Sequence, residues 1–165
     1  MREVEIEGTG CGTVRLIKEA IKLRDQSGKD FDRVWAVFDK DDFMDFNGAI
    51  ALANHNKIKC AWTNEAFELW YYLHFQYLDT GVSRADYIKM LEREIRVLKN
   101  ESYSYKKNDP LMYALLQKYG SEEFAINNAR KLRDSYAADT DYAAHKPCTT
   151  VDQLVNELSN PEDLL

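Results

Sequence analysis

The stretch FDRVWAVFDKDDF, residues 31–43, constrains this chain more than any other. Five apolar residues, Val34 to Phe38, run on without interruption, and Asp39, Lys40, Asp41 and Asp42 follow at once. A continuously apolar run of this length predicts a strand covered on both faces, as in a parallel sheet flanked by helices. The acids then fall at the carboxyl end of that strand, where open α/β sheets bind their ligands. Asp39 and Asp41 are two apart, so in an extended segment both side chains leave the same face. Carboxylates held so close repel each other unless a cation lies between them. Mg²⁺ suits such a pair, because it prefers oxygen donors and often takes one or two carboxylates plus a substrate phosphate. The alternative is a solvated turn, with Asp42 and Asp45 as surface or helix-capping residues.

The flanking segments supply the rest of an α/β pattern. REVEIEG (residues 2–8) alternates, which predicts a strand with one covered face. TVRLIKEAIKLRD has apolar residues at 14, 16, 17, 20, 21 and 23, a helical spacing. FNGAIALANHN predicts a short helix and IKCAW a third strand. TNEAFELWYYLHFQYL predicts a strongly amphipathic aromatic helix, with Thr63 or Asn64 as its N-cap. Four further helices are expected in SRADYIKMLEREIRVLKN, PLMYALLQKYG, SEEFAINNARKLRDSYA and TTVDQLVNELSN. The alternation of strand and helix is that of a Rossmann-type, mainly parallel sheet with helices on both faces. The reading is one domain over residues 1–165, an α/β core over 1–80 and a helical half over 81–165.

Composition excludes several classes. The chain has 165 residues, 45% of them hydrophobic and 30% charged, which suits a globular fold and not a disordered one. A formal net charge of −6 argues against coating nucleic acid by bulk electrostatics, but leaves room for a local basic groove. Cys11, Cys60 and Cys148 lie far apart without CxxC spacing, so neither zinc nor a disulfide framework is expected, and a reducing cytoplasm is the expected compartment. No apolar run nears the roughly 18 residues of a membrane span.

Other motifs have two readings each. GTGCGT (residues 8–13) sits between the first expected strand and helix, so its backbone could cradle phosphate or form a tight turn; it matches neither the P-loop nor GxGxxG. On the aromatic helix Asn64, Glu68 and Tyr71 would share one stripe, and Phe67, Trp70 and His74 the next. Glu68 is either a solvated helix residue or a partly desolvated carboxylate near the acids. His74 is either a core histidine bonded to a carbonyl or part of a site. Residues 84–107 hold seven Lys or Arg against four acids. Over 84–99 these read as i,i+4 pairs such as Glu92–Arg96. Tyr103, Tyr105, Lys106 and Lys107 interleave aromatic and basic side chains, as a single-stranded nucleic-acid contact would. Arg130, Lys131 and Arg133 form a second basic cluster. An aspartate-based phosphatase or receiver would need later strands ending in Thr or Ser and in Lys, and none is found after Trp62.

FDRVWAVFDKDDF, NGAIALA, AWTNEAFELWYYLHF, YSYKKNDPLMYALL, AINNARKL and HKPCTTVDQLVNEL together resemble the RloB family, in that family's order and over nearly the whole chain. RloB-like proteins accompany bacterial restriction–modification loci and are associated with defence against phage. Their core is similar to the Toprim domain of primases, topoisomerases and overcoming-lysogenization-defect nucleases. The resemblance implies that Asp39 and Asp41 are the Toprim acidic pair, holding Mg²⁺ or Mn²⁺. It implies that Asn64, Phe67, Glu68, Trp70 and His74 form the family's Asn…Phe-Glu-x-Trp…His signature, and that Lys106 lies in a functional loop. The expected activity is a metal-dependent nuclease. In that scheme Glu68, His74 and Lys106 serve catalysis, and Asn64, Tyr103, Tyr105 and Lys107 contact the substrate, RNA such as tRNA in preference to DNA.

One departure from the family pattern stands out. RloB-like proteins open with an Ile/Val-rich strand followed by EGxxTE, whose glutamate is the Toprim general acid/base. Here VEIEGTGCGTVRLIKEA aligns better with the family's second strand and helix, leaving the opening strand outside these residues; the alternative makes Glu7-Gly8 that glutamate. The same departure supports a second expectation, a catalytically degenerate module that binds a partner ATPase or a nucleotide signal. An uncovered sheet edge would then invite another chain, and a homodimer would cover it.

Overall fold

The computed structural model describes residues 4–8 and 10–160. Its centre is a parallel pair of strands, β1 (Trp35–Asp39) and β2 (Lys59–Thr63), in the register Trp35↔Lys59 to Asp39↔Thr63. Ahead of β1 lies helix α1 (Thr13–Gln26), and helix α2 (Phe46–His55) makes the crossover between the strands. Five more helices follow β2: α3 (Glu68–Tyr72), α4 (Arg84–Lys99), α5 (Met112–Tyr119), α6 (Glu122–Asp134) and α7 (Val151–Ser159). A single 3₁₀ turn at Tyr142–Ala144 precedes α7.

Side chains alternate across the sheet, and each face has its own cover. Ala36, on one face, packs with Ile17 of α1 and with Ala49 and Ala53 of α2. On the same face Trp62 packs with Phe46, Ile50 and Cys148, and the Phe46 and Trp62 rings meet edge to face at 5.4 Å. Ala61 opens the other face, where Leu69 and Leu73 of the α3 region meet Ala129 and Leu132 of α6. Helices therefore cover both faces, and the fold is mixed α/β of Rossmann-like kind.

The C-terminal half closes back onto the sheet. Thr63 and Thr149 form an antiparallel bridge, the Thr150 N–H donates to Trp62 O at 2.8 Å, and the Asn64 N–H donates to Cys148 O at 2.9 Å. Behind that seam the Arg133 guanidinium holds the buried Asp152 carboxylate with two hydrogen bonds and also donates to Thr149 O at 3.1 Å. Helices α4 and α6 are capped by serine hydroxyls, Ser83 accepting from Asp86 N and Ser121 from Phe124 N.

Two expectations are corrected. Residues 2–8 were expected to form a strand; residues 2 and 3 lie outside the described residues, and Val4–Gly8 has no strand geometry. Val4 is 62% and Ile6 88% exposed, and Glu5 is engaged by Lys29. Alternation makes a strand only where a neighbour offers its edge and a layer covers the apolar face. The sheet accordingly has two strands among the described residues, with β1 as an open edge and Val37 47% exposed on it.

The aromatic helix is also shorter than its pattern predicts. Thr63 ends β2, with its hydroxyl on Thr149 Oγ1 at 2.8 Å, and Glu65 is left-handed at φ 69°. Asn64 is buried, its amide spent on Tyr142 O and Ala143 O at 3.1 and 3.0 Å. Neither residue caps a helix, because both bind the returning chain. Past Tyr72 the segment tightens into turns, with His74 N donating to Tyr71 O and Phe75 N to Tyr72 O.

The pair of part-buried Arg133 with buried Asp152 gives a stability test. Arg133→Ala should lower the unfolding free energy by about 3–5 kcal/mol, because a buried carboxylate would lose its partner. Lys22→Ala, which removes the exposed pair with Glu19 at 3.8 Å, should change it by less than about 1 kcal/mol. Urea denaturation of the two variants checks the contrast.

Candidate functional site

Parallel pairing brings the carboxyl ends of β1 and β2 together, and the loops that leave them are tied to each other. Lys40 N–H donates to Thr63 O at 2.9 Å and Asp41 N–H to Glu65 O at 3.2 Å. Asp41 adopts φ 44°, a left-handed conformation that aspartate tolerates better than most residues. Asp39 and Asp41 share a side by virtue of this turn, rather than the extended geometry that their spacing suggests.

Both acids reach one guanidinium. Arg84 Nη2 lies 2.7 Å from Asp39 Oδ2, and Nη1 lies 3.4 Å from Asp41 Oδ2. Arg84 Nε lies 3.9 Å from Glu68 Oε2, so a third carboxylate from the first turn of α3 joins them. Glu68 is buried, and the Tyr105 hydroxyl donates to its Oε1 at 3.0 Å. Four separate segments thus converge: the end of β1 with its acidic loop, α3, the first turn of α4, and the loop through Tyr105.

The electrostatics of this cluster are lopsided. Burial raises the Asp39 pKa above its ordinary value of 3.8; Arg84 opposes that, while the charges of Asp41 and Glu68 add to it. Burial works against the charge on Arg84, but Asp39, Asp41 and Glu68 outweigh it and hold its pKa above the usual range. Tyr105 is pushed upward by burial and by Glu68, so it stays a protonated donor. By formal charge, three carboxylates face one guanidinium, a deficit of two.

That donor set fits Mg²⁺ or Mn²⁺: hard oxygen ligands only, and a deficit that one divalent ion would cancel. Among the described residues no three acidic, histidine or cysteine side chains are gathered tightly enough to ligate one ion. Asp39 and Asp41 would hold the metal, with water or substrate oxygen as the remaining ligands.

The other expected site residues are placed as follows. His74 is buried, bonds Trp70 O through Nδ1 at 2.9 Å, and meets the Trp70 ring edge to face at 4.9 Å. Burial lowers its pKa, and its hydrogen bond is not to Glu68. Tyr103 packs in the cluster of Leu91, Ile95, Met112 and Leu116, and its carbonyl accepts from Arg96 Nε at 2.7 Å. Lys106 and Lys107 are exposed on the turn after Tyr105, one and two residues from the acid cluster. Asn64 is committed to the 3₁₀ turn. Glu7 lines a small cleft of about 270 Å³ together with Asp39, Val37 and Phe43.

Of GTGCGT, Gly10–Gly12 lead without strand or helix into α1, with Gly10 left-handed at φ 58°. The Asp45 carboxylate takes the Thr13 hydroxyl and the Val14 N–H, so an acid of the chain already occupies the start of α1. Asp45 therefore caps a helix, though not the one it precedes. Arg84 and the Tyr105–Glu68 bond were not anticipated. One signal was present: Arg84 is the first residue of α4, where the helix dipole disfavours a cation, so something else must hold it.

A short parallel β–α–β unit with acids at its carboxyl edge defines an α/β protein of Rossmann-like kind whose candidate site is that edge. The chain matches the family model described as RloB-like protein over residues 2–158, and it belongs to that family. No curated protein and no solved structure matches it. No helix among the described residues is long and apolar enough to cross a membrane.

The coupling among these charges is measurable. Because the Asp39 pKa is raised, ionisation costs the folded state: the group's contribution to stability falls as pH rises from the unfolded value through the folded one. Arg84→Gln should move the Asp39 titration to higher pH, and Asp41→Asn should move it lower, as followed by carboxyl-carbon NMR.

Proposed function

We propose that this protein is a metal-dependent phosphodiesterase of Toprim kind, acting on RNA, including tRNA, in preference to DNA and serving defence against phage. The observation that carries this reading is the convergence of Asp39, Asp41 and Glu68 on Arg84, two negative charges short of balance. Bound Mg²⁺ or Mn²⁺ would polarise a phosphoryl oxygen as a Lewis acid. Asp39 and Asp41 would hold the metal. Arg84, always protonated, braces both acids and would offer a guanidinium donor to a phosphate at this edge. Glu68 keeps Oε1 on the Tyr105 hydroxyl, which leaves Oε2 as the atom that takes or gives a proton. Lys106 and Lys107 neutralise backbone phosphates from the exposed turn, beside Tyr103. His74 is a positioning residue, steadying the α3 region through Trp70 O. Asn64 acts in the same indirect way, by fixing the chain between β2 and α3.

A second reading is favoured by the open outer edge of β1. There the chain is a catalytically degenerate module that binds a partner ATPase, a nucleotide signal or a second copy of itself, with Arg84 as the permanent counter-ion of its acids.

Incubation with tRNA, single-stranded RNA and DNA, each with Mg²⁺ or Mn²⁺, separates the two. Cleavage should fall on the order of 100-fold or more in Asp39→Asn and in Glu68→Gln. Cleavage untouched by both changes removes the site, and no cleavage under any condition selects the binding module. Calorimetry with Mn²⁺ should show uptake by the wild type that Asp39→Asn loses.

A further inference from the structure

Arg84 occupies a poor place for a cation. It is the first residue of α4, directly after the N-cap Ser83, and the unpaired N–H groups of a helix start favour negative charge. Its hydrogen bonds go to Asp39 and Asp41, and its further ion pair is with Glu68. Among the described residues, the acid cluster is therefore all that holds this side chain.

The three acids divide the guanidinium between them. Asp39 takes Nη2, Asp41 takes Nη1 and Glu68 lies nearest Nε, so each nitrogen faces a different carboxylate. A guanidinium is a flat fork whose nitrogens diverge from one carbon. Acids arranged round such a rim stand apart, and no three of the described residues gather closely enough to ligate a single ion. Their spacing suits the fork.

A divalent cation would compete with Arg84 for the same oxygens. Arg84 brings one charge to three carboxylates, whereas Mg²⁺ or Mn²⁺ brings two and prefers hard oxygen donors. Once the acids are neutralised, the helix start disfavours the guanidinium and nothing else retains it. Departure needs no opening of the core, because the Arg84 side chain is 34% exposed and those of Asp39 and Asp41 are 30% and 44% exposed. Glu68 is buried and stays on the Tyr105 hydroxyl.

We propose that Arg84 is a displaceable counter-ion guarding this edge: its guanidinium holds the acids in the absence of metal, and uptake of Mg²⁺ or Mn²⁺ is an exchange that frees it for an anion. This rests on the reading of Asp39 and Asp41 as metal ligands. Without metal the acids are engaged, and the donor that a phosphate would meet is released only on loading. By linkage, an anion that engages the freed guanidinium tightens metal binding, and metal tightens binding of the anion by the same factor.

Calorimetric titration of the full chain with Mn²⁺ tests the exchange. Arg84→Gln keeps a polar side chain but removes the charge. It should fold as the wild type does by circular dichroism and bind Mn²⁺ on the order of ten-fold or more tightly, since no resident cation has to leave. The gain is the distinguishing sign, because loss of a residue that only braced the acids would weaken binding. Asp39→Asn should abolish uptake with or without Arg84. A second readout needs no variant and decides alone should Arg84→Gln not fold. In the wild type, the two Arg84 Nη signals should be resolved by nitrogen NMR without metal, where bonds to carboxylates slow rotation of the guanidinium, and should merge on saturation with Mg²⁺. Uptake by the wild type with equal or weaker binding by folded Arg84→Gln overturns the exchange and leaves the metal reading standing, as do Arg84 signals unchanged at saturation. No uptake by either protein overturns both.

Discussion

The pairing of β1 with β2 is the constraint on which the rest depends. Parallel strands cannot be joined by a tight turn, so α2 must cross between them and pack on one face. The register then sets Asp39 beside Thr63 and delivers the chain after each strand to the same edge. Two backbone bonds, from Lys40 to Thr63 O and from Asp41 to Glu65 O, carry that alignment beyond the sheet. Glu68 reaches the acids because α3 starts a few residues later. The acid cluster is a consequence of strand order more than of any local motif.

Arg84 gives the cluster a distinctive balance. A guanidinium does not lose its proton, so the acids always have one positive neighbour, even without metal. One charge is too little for three carboxylates; burial first, and then the charges of Asp41 and Glu68, raise the Asp39 pKa against the pull of Arg84. Tyr105 adds the opposite element, a neutral donor that holds Glu68 without cancelling its charge.

Much of this was legible in the residues. The apolar run into Asp39 and the helical periods of α1, α4 and α6 depend on local chemistry, which a pattern can report. The α/β class and the acids at the strand end followed from the same signals. REVEIEG and the aromatic segment were misread because both carry a strong local pattern that distant contacts overrule. Ile6 has no covering layer, and Asn64 serves carbonyls nearly eighty residues on in place of a helix end. Arg84 sits forty-three residues from Asp41, so periodicity could not pair them.

The contact between Gly12 and Phe43 has a mechanical consequence. A side-chain carbon at position 12 would come within 2.7 Å of the Phe43 ring, and Asp45 just beyond is anchored to Thr13. The segment bearing Asp41 is thereby clasped at its far end by the beginning of α1. Any displacement of that helix would be transmitted, as through a lever, to an acid it never touches.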